Sequence, residues 1–354
     1  MISRKATAVS LASFFLVVGF FLFSAAFLCT ASAAAQKPIE MRMAHYQPEQ
    51  RVLMVGAKWW ADEVQKRTNG RVMIKHYFSE QLARAKEIVP LVGRGGIELG
   101  TPALTYHVSE FPLMQLLIDY PWADLRTLFW IVPRLVDTVP ALQNEWKKNN
   151  VVPLSYGGLP PYGIATTKNV KNLDSLKGLK IRVWGKTLPM RMIKIGMIPV
   201  TMPSSETYEA MAKGTAECSM SPLDQHRTLG LWEIAKYHLE GDFIPALYAA
   251  QPIMNQKLFN SLEPDLRKIL MDLRGDHLKK LEELVVATDA ADKKFLKEHG
   301  VNFPALSKAE NKRLEEDAIE AWNKMADELK VNKEDVKAIK AAIERLKADY
   351  AKTR

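Results

Sequence analysis

Leu176-Lys177-Gly178-Leu179-Lys180-Ile181-Arg182-Val183-Trp184-Gly185 decides the fold class, because its run from Leu179 to Trp184 reads as a β-strand and the chain after it keeps returning to β. Pro189 to Ile195 reads as a short helix ending at Gly196, and Pro199-Val200-Thr201-Met202 as the next strand. Pro203-Ser204-Ser205-Glu206 then opens a helix, with Ser204 as its N-cap and Glu206 in the positive first turn. Gly214 ends that helix, and Thr215 to Ser219 forms another short strand. Upstream, Val151 to Ser155 reads as a strand entering a flexible Gly157-Gly158-Leu159-Pro160-Pro161 segment.

The same alternation occupies the first half. Ile39 to Ala44 alternates apolar and polar, as a half-buried strand does, and Pro48 to Leu53 is a loop. Met54, Ala57, Ala61 and Val64 recur at helical spacing until Asn69-Gly70 stops them. Val72 to Tyr77 is a second β-type run, and Gln81 to Val92 is helical. Gly93, Gly95 and Gly96 break that helix before a strand at Ile97 to Thr101. Strands alternating with helices predict an α/β fold with parallel pairing, here as two units joined by the Gly/Pro segment, with a cleft between them. The last third is helical. Leu266, Ile269, Leu270, Leu273, Leu281, Leu284 and Val285 form an apolar stripe, interrupted near Gly275 and ending at His299-Gly300. Ser307 and Glu310 have capping-box spacing, and Ala338 to Arg354 is a charged end.

The composition of the 354 residues, 47% hydrophobic and 25% charged, is that of a globular protein large enough for two medium domains. The N-terminus differs from the rest. Arg4 and Lys5 precede an uncharged apolar run from Ala6 to Leu28, and Ala31-Ser32-Ala33-Ala34-Ala35 supplies small residues for a signal peptidase. The run is long enough to span a bilayer as an uncleaved anchor, but the Ala-x-Ala choices followed by Gln36-Lys37-Pro38 favour a cleaved signal at 1–35. Cleavage there removes Cys29 and leaves Cys218 alone, so the mature chain has no internal disulfide. The net charge of +9 is scattered over pairs such as Lys147-Lys148 and Lys279-Lys280, which read as solvated helix faces. Export sets nucleic acid aside as a partner.

Catalytic signatures are missing from the sequence. It has no Gly-x-Ser-x-Gly elbow, no His-Glu-x-x-His and no P-loop, and Gly93-Arg94-Gly95-Gly96 reads as a helix stop. The seven histidines show no metal-ligand spacing, and Cys218, flanked by Ala216 and Met220, reads as a buried inert thiol. Glu282-Glu283 and Glu315-Glu316-Asp317 read as solvated faces. The expectation is a protein that is not an enzyme and needs no metal or cofactor. On its residues alone, Arg182 reads as a surface arginine on an edge strand.

The segment quoted first resembles the signature of the DctP-type solute-binding proteins of TRAP transporters (tripartite ATP-independent periplasmic transporters). The similarity continues in order through Arg67-Thr68-Asn69-Gly70-Arg71-Val72, Ser79-Glu80-Gln81-Leu82, Gly196 to Val200, Ser205 to Ala210, Met254-Asn255-Gln256-Lys257 and Glu263 to Lys268. The resemblance implies a two-lobed periplasmic-binding-protein-like fold with a ligand cleft between lobes and long C-terminal helices. Domain I would be 36–157 plus about 243–300 and domain II 158–242, with helices of 301–354 packing across the lobes. It implies capture of a small organic carboxylate in the periplasm and delivery to a TRAP permease, or, on the same fold, to a membrane signalling protein. The family's carboxylate-binding arginine falls on Arg182, whose guanidinium can grip a carboxylate with two hydrogen bonds. Tyr162 stands where relatives often place a second arginine, Ser221 where many place an asparagine before proline, and Ala103 near an acidic position of sugar-acid binders. These departures, with Trp184 as an apolar wall, imply a monocarboxylate with an apolar or aromatic body. His45, Gln81, Thr101 and Tyr106 fall where members present cleft residues, and Asp242 approximates another contact.

Overall fold

The computed structural model describes residues 37–250 and 252–353; the expected signal segment lies outside the described residues. Strand β1 (Ile39–His45) leads into α1 (Val52–Arg67), β2 (Val72–Tyr77), α2 (Ile88–Gly93) and β3 (Leu99–Thr101). A 3-10 turn at Leu104–Tyr106 precedes α3 (Gln115–Ile118), α4 (Leu125–Thr138), α5 (Pro140–Lys148) and β4 (Val151–Pro153). Then come β5 (Tyr156–Leu159), β6 (Tyr162–Thr166), β7 (Lys180–Val183), α6 (Thr187–Ile195), β8 (Ile198–Thr201), α7 (Thr207–Ala212), β9 (Cys218–Pro222) and α8 (Leu223–Thr228). The chain closes with β10 (Tyr237–Ile244), β11 (Leu247–Ala250), β12 (Ile253–Asn255), α9 (Gln256–Ser261), α10 (Pro264–Glu298), α11 (Lys308–Glu328) and α12 (Lys333–Ala351).

Two five-stranded sheets result. The first runs β2-β1-β3-β12-β4, with β1 and β3 parallel and β12 antiparallel to β3 and β4. The second runs β10-β6-β9-β7-β8, with β7 parallel to β8 and β9. Between them, β5 and β11 pair antiparallel from Leu247↔Leu159 to Ala250↔Tyr156, so the chain crosses between sheets twice on one two-stranded ribbon. The Gly157-Gly158 segment is therefore a strand rather than a flexible link. Glycine is needed at 158 because a Cβ there would stand 2.6 Å from Leu125 and 2.8 Å from Phe129 of α4.

Capping chemistry sets several helix starts. Asp124 accepts from the Thr127 N–H at 2.6 Å, Asn255 from Leu258 at 2.9 Å, and Ser307 with Glu310 closes the expected capping box. Gly196 ends α6 in the left-handed region at φ +95°. The core packs Trp60, Val64, Met43 and Leu99 against Leu266, Leu270 and Leu273 of α10, while a larger cluster runs from Leu53 and Trp122 to Val183 and Leu239. Helix α10 is unbroken through Gly275, where a Cβ would meet nothing. Its face packs on α1, α8 and β5. Helix α11 packs on α6 and β10, and its Trp322 Nε1 donates to the Leu116 carbonyl at 2.9 Å; α12 packs on α4. Asp317 is buried against Lys194, at 2.7 Å, rather than solvated. No helix among the described residues is long and apolar enough to cross a membrane.

Candidate functional site

Strand β7 sets the position of Arg182. Ile181 and Val183 join the core, so Arg182 between them faces the other way, paired in register with Val200 of β8 and Ser219 of β9. β8, not β7, is the edge strand, and Arg182 is 1% exposed, so it is neither an edge nor a surface arginine. Its Nε donates to the Met202 carbonyl at 3.1 Å and its Nη2 to the Tyr106 hydroxyl at 3.1 Å. The guanidinium lies 4.8 Å from the centroid of the Trp184 ring. It forms no ion pair with a carboxylate among the described residues.

The Tyr106 hydroxyl also accepts from the Ser204 backbone N–H at 3.0 Å. Ser204 therefore does not cap a helix with its side chain as expected; a 3-10 turn at Ser204–Glu206 leads into α7. Tyr106 follows β3 of the first sheet, while Arg182 and Ser204 lie on β7 and just after β8 of the second. One phenol oxygen thus ties the two sheets' loops together.

Arg182 opens on a cavity of about 40 Å³. Tyr46, Gln47, Ala103 and Tyr106 line it from the first sheet's side, Tyr162, Arg182, Trp184, Ser204 and Gln225 from the second, and Leu159, Leu247 and Tyr248 from the crossing ribbon. At ~10–15 Å³ per water it has room for about three waters. Burial raises the Tyr46 and Tyr162 hydroxyls well above the usual phenol range, so both stay neutral donors. Gln47 Oε1, Gln225 Nε2 and the Tyr248 hydroxyl are buried without hydrogen-bond partners.

Of the residues expected at the site, the fold brings Arg182, Tyr162, Trp184, Ala103 and Tyr106 together around this cavity. Others lie elsewhere. His45 is buried, 2.9 Å from Thr101 Oγ1 and 2.8 Å from His76, and burial, aided by His76, lowers it to about 3. Thr101 is its partner, Gln81 is exposed after β2, and the Ser221 hydroxyl is turned to Ser219 at 2.8 Å. Asp242 lines a second cavity of about 250 Å³ that shares Trp184 and Leu247 with the first. There burial raises Asp119 to about 6 and lowers Arg191 to about 10, while the Arg191 Nη2 donates to the Phe243 carbonyl. The second cavity is larger, but its Arg191 has the Asp119 and Asp317 carboxyls as charge neighbours, whereas Arg182 in the smaller one forms no ion pair with a carboxylate, which makes the smaller one the candidate anion site.

Folding also makes histidine pairs invisible in the sequence spacing, His45 with His76 and His226 with His238, the latter at 3.1 Å. No group of three or more His, Cys, Asp or Glu able to hold a metal occurs among the described residues. Burial lifts the Cys218 thiol to about 12, and its Sγ donates to Thr166 at 3.2 Å, an unreactive setting. Sequence reasoning missed Arg51 and Asp224, both buried beside the site, along with Gln47, Gln225 and Tyr248. A charge placed directly before the apolar start of α1 was the available signal for Arg51.

The model of the family described as bacterial extracellular solute-binding protein, family 7, matches residues 43–329. A monocarboxylate 2-oxoacid-binding periplasmic protein of Nostoc is 24% identical over 250 residues, covering 68% of this chain and 66% of that one, just under two thirds of its length. A crystal structure of a TRAP periplasmic solute-binding protein from Desulfovibrio salexigens, in an open complex with the C-terminus of a symmetry mate in its ligand-binding site, is 27% identical, with a TM-score of 0.72 over 88% of this chain and 96% of that one. The Bordetella pertussis extracytoplasmic solute receptor DctP7, which binds pyroglutamic acid, shares the fold at 20% identity, with a TM-score of 0.74 over 85% and 99% of the two chains.

Proposed function

Because this chain belongs to family 7 of the bacterial extracellular solute-binding proteins, whose members are substrate-binding receptors and not enzymes, we propose that it captures a small organic carboxylate in the periplasm and delivers it to a TRAP-type permease. The observation that carries this reading is Arg182: a guanidinium 1% exposed, without a carboxylate partner, at the wall of a cavity between two sheets. A buried cation without a counter-ion is costly, and an anionic ligand supplies one. Tyr162, Trp184, Ala103 and Tyr106 form the remaining wall. A volume of about three waters suits a short monocarboxylate, in keeping with the name of the Nostoc relative. The lobes would be 36–157 with about 243–300, and 158–242, closing on the ligand about the β5–β11 ribbon. Export with cleavage near Ala33 or Ala35 completes the reading; the intact mass of the secreted chain tests it. No observation favours the alternative role in signalling.

Titration calorimetry of Arg182→Ala and Arg182→Lys with short monocarboxylates tests the site. A charged hydrogen bond contributes roughly 1.5–3 kcal/mol, so affinity should fall about 10- to 150-fold with the fold intact. An unchanged dissociation constant would remove Arg182 from the site.

A further inference from the structure

The charges beside the cavity do not stop at Arg182. Arg51, in the turn before α1, and Asp224, at the start of α8, are 1% and 2% exposed and approach within 3.2 Å, Nε to Oδ2. The Asp224 Oδ2 also accepts from the Val52 backbone N–H at 3.3 Å, so it sits on the N-terminus of a helix belonging to the other sheet's layer. The pair is incompletely satisfied. The Nε contact lies off the N–H axis, and Arg51 Nη1 and Nη2 and Asp224 Oδ1 have no hydrogen-bond partner. Neither residue lines the cavity, but both act on Tyr162, which does and which Arg182 also influences. The cavity residues Gln47 and Leu53 flank Arg51 in sequence, and Gln225 follows Asp224.

The cations around Asp224 are each matched by a carboxylate. Arg51 is matched by Asp224, and Arg227 behind them by Asp292. Lys293 is matched by Glu240; Asp289, whose carboxyl burial and then the Asp292 charge raise above the usual range, lies with that group and does not line the cavity. Arg182, by contrast, has no carboxylate. We propose that Asp224 is a specificity-determining residue: by neutralising Arg51 it leaves one uncompensated positive charge at the cavity, which selects a monoanion and rejects a dianion. A second ligand carboxylate would enter a closed site with no free cation to meet it, and rejection by an unpaired buried charge is how such sites discriminate. This inference rests on the reading that Arg182 takes the ligand carboxylate.

The test compares dissociation constants for matched acids, pyruvate against malonate and 2-oxobutyrate against succinate, by calorimetry on the full mature chain. Asp224→Asn keeps the side-chain shape and a carbonyl acceptor for the Val52 N–H but frees the Arg51 charge. It should move the monoanion-to-dianion preference at least tenfold toward the dianion. The double variant Arg51→Gln with Asp224→Asn restores the balance and should return the preference to the wild-type value. Arg51→Gln alone leaves Asp224 uncompensated and should weaken pyruvate binding at least tenfold, which keeps the proposal testable should Asp224→Asn fail to fold. An unchanged ratio in Asp224→Asn, a double variant no different from it, or undiminished pyruvate binding in Arg51→Gln overturns the proposal. If the wild-type chain binds none of these acids, both this inference and the reading beneath it fall; a wild type that binds them with unmoved variants sinks the inference alone.

Discussion

Replacing Tyr106 by phenylalanine removes a single oxygen that receives two donors from the opposite side of the cavity, Arg182 Nη2 at 3.1 Å and the Ser204 N–H at 3.0 Å. The ring stays, and so does its edge contact with Tyr46 at 6.1 Å between centroids. A hydrogen bond to a charged group contributes roughly 1.5–3 kcal/mol and a neutral one roughly 0.5–1.5. Tyr106 is half-buried, so water replaces part of what is lost. The net cost is then about 2 kcal/mol, or about a 30-fold rise in the ligand's dissociation constant. Both bonds run between elements of different sheets, so the cost should fall on the ligand-gripping arrangement and not on either sheet. Calorimetry with a short monocarboxylate reads the affinity, and urea unfolding without ligand reads the fold. A dissociation constant within about threefold of wild type would show that the hydroxyl does not clasp the cavity. An equal loss in urea stability would show that the bonds hold the fold regardless of ligand.

Three further changes probe how the scaffold is held. Trp60→Ala empties a fully buried site packed in the cluster with Leu266, Leu270 and Leu273, and should cost about 3–5 kcal/mol of unfolding free energy in urea; a loss below about 1 would mean the site collapses. Gly163→Ala puts a Cβ 2.4 Å from His238 Nε2 and 2.6 Å from the Leu239 carbonyl, so it should lose the ~1–3 kcal/mol of an overpacked core and melt at a lower temperature; a wild-type midpoint would contradict that geometry. Acidification from pH 7 to 5 should also lower the midpoint. Burial depresses His45 and His277 to about 3 and His226 to about 4, so their stabilisation is full above pH 6.5 and drains away as pH falls below it. Glu145, raised to about 7, and Asp119, raised to about 6, act oppositely, adding stability as pH falls through those values. Burial also lowers His238, His76 and His107 and raises Asp289 and Asp292, so the depressed imidazoles outnumber the raised carboxyls and the balance is a loss of stability on acidification. A midpoint that rises on acidification, or a slope unaltered by His277→Gln, would refute this balance.

The sequence pattern revealed the fold wherever structure follows from local spacing, and misled where side chains overrode it. The alternation in β1 and β7 and the capping box of α11 were legible because a period of two or a Ser-x-x-Glu spacing is itself the cause of the structure. Gln81 to Val92 has helical composition, yet only Ile88–Gly93 is helical. Ser79 and Glu80 take positive φ, Glu80 Oε1 accepts from the Ala85 N–H at 3.0 Å, and Glu87 Oε2 from Arg84 at 3.1 Å, so side chains satisfy the backbone that a helix would have used. Gly275 reads as a break, but a long amphipathic face packed on α1 and α8 outweighs the roughly 1 kcal/mol that an interior glycine costs.

The candidate site was legible at Arg182 because a strand motif carries it, and illegible at Arg51 because its partner Asp224 comes from the other sheet, with no spacing to announce it. That asymmetry alters the expected ligand. An apolar body was inferred from Tyr162, Ala103 and Ser221, positions where polar groups of relatives are replaced. Counting replacements at those positions misses polar groups supplied from elsewhere. Gln47, Gln225 and Tyr248 each bring an unpartnered donor or acceptor to the same cavity, from the turn after β1, from α8 and from the crossing ribbon. A buried amide or phenol left unmatched costs about 1–3 kcal/mol, so an acid with a purely hydrocarbon body would leave three such penalties standing. A short acid bearing an oxo, hydroxyl or amide group beside its carboxylate removes some of them while filling the same space. If the cavity takes the ligand as proposed, these unmatched groups suit a small polar monocarboxylate better than an aliphatic or aromatic one.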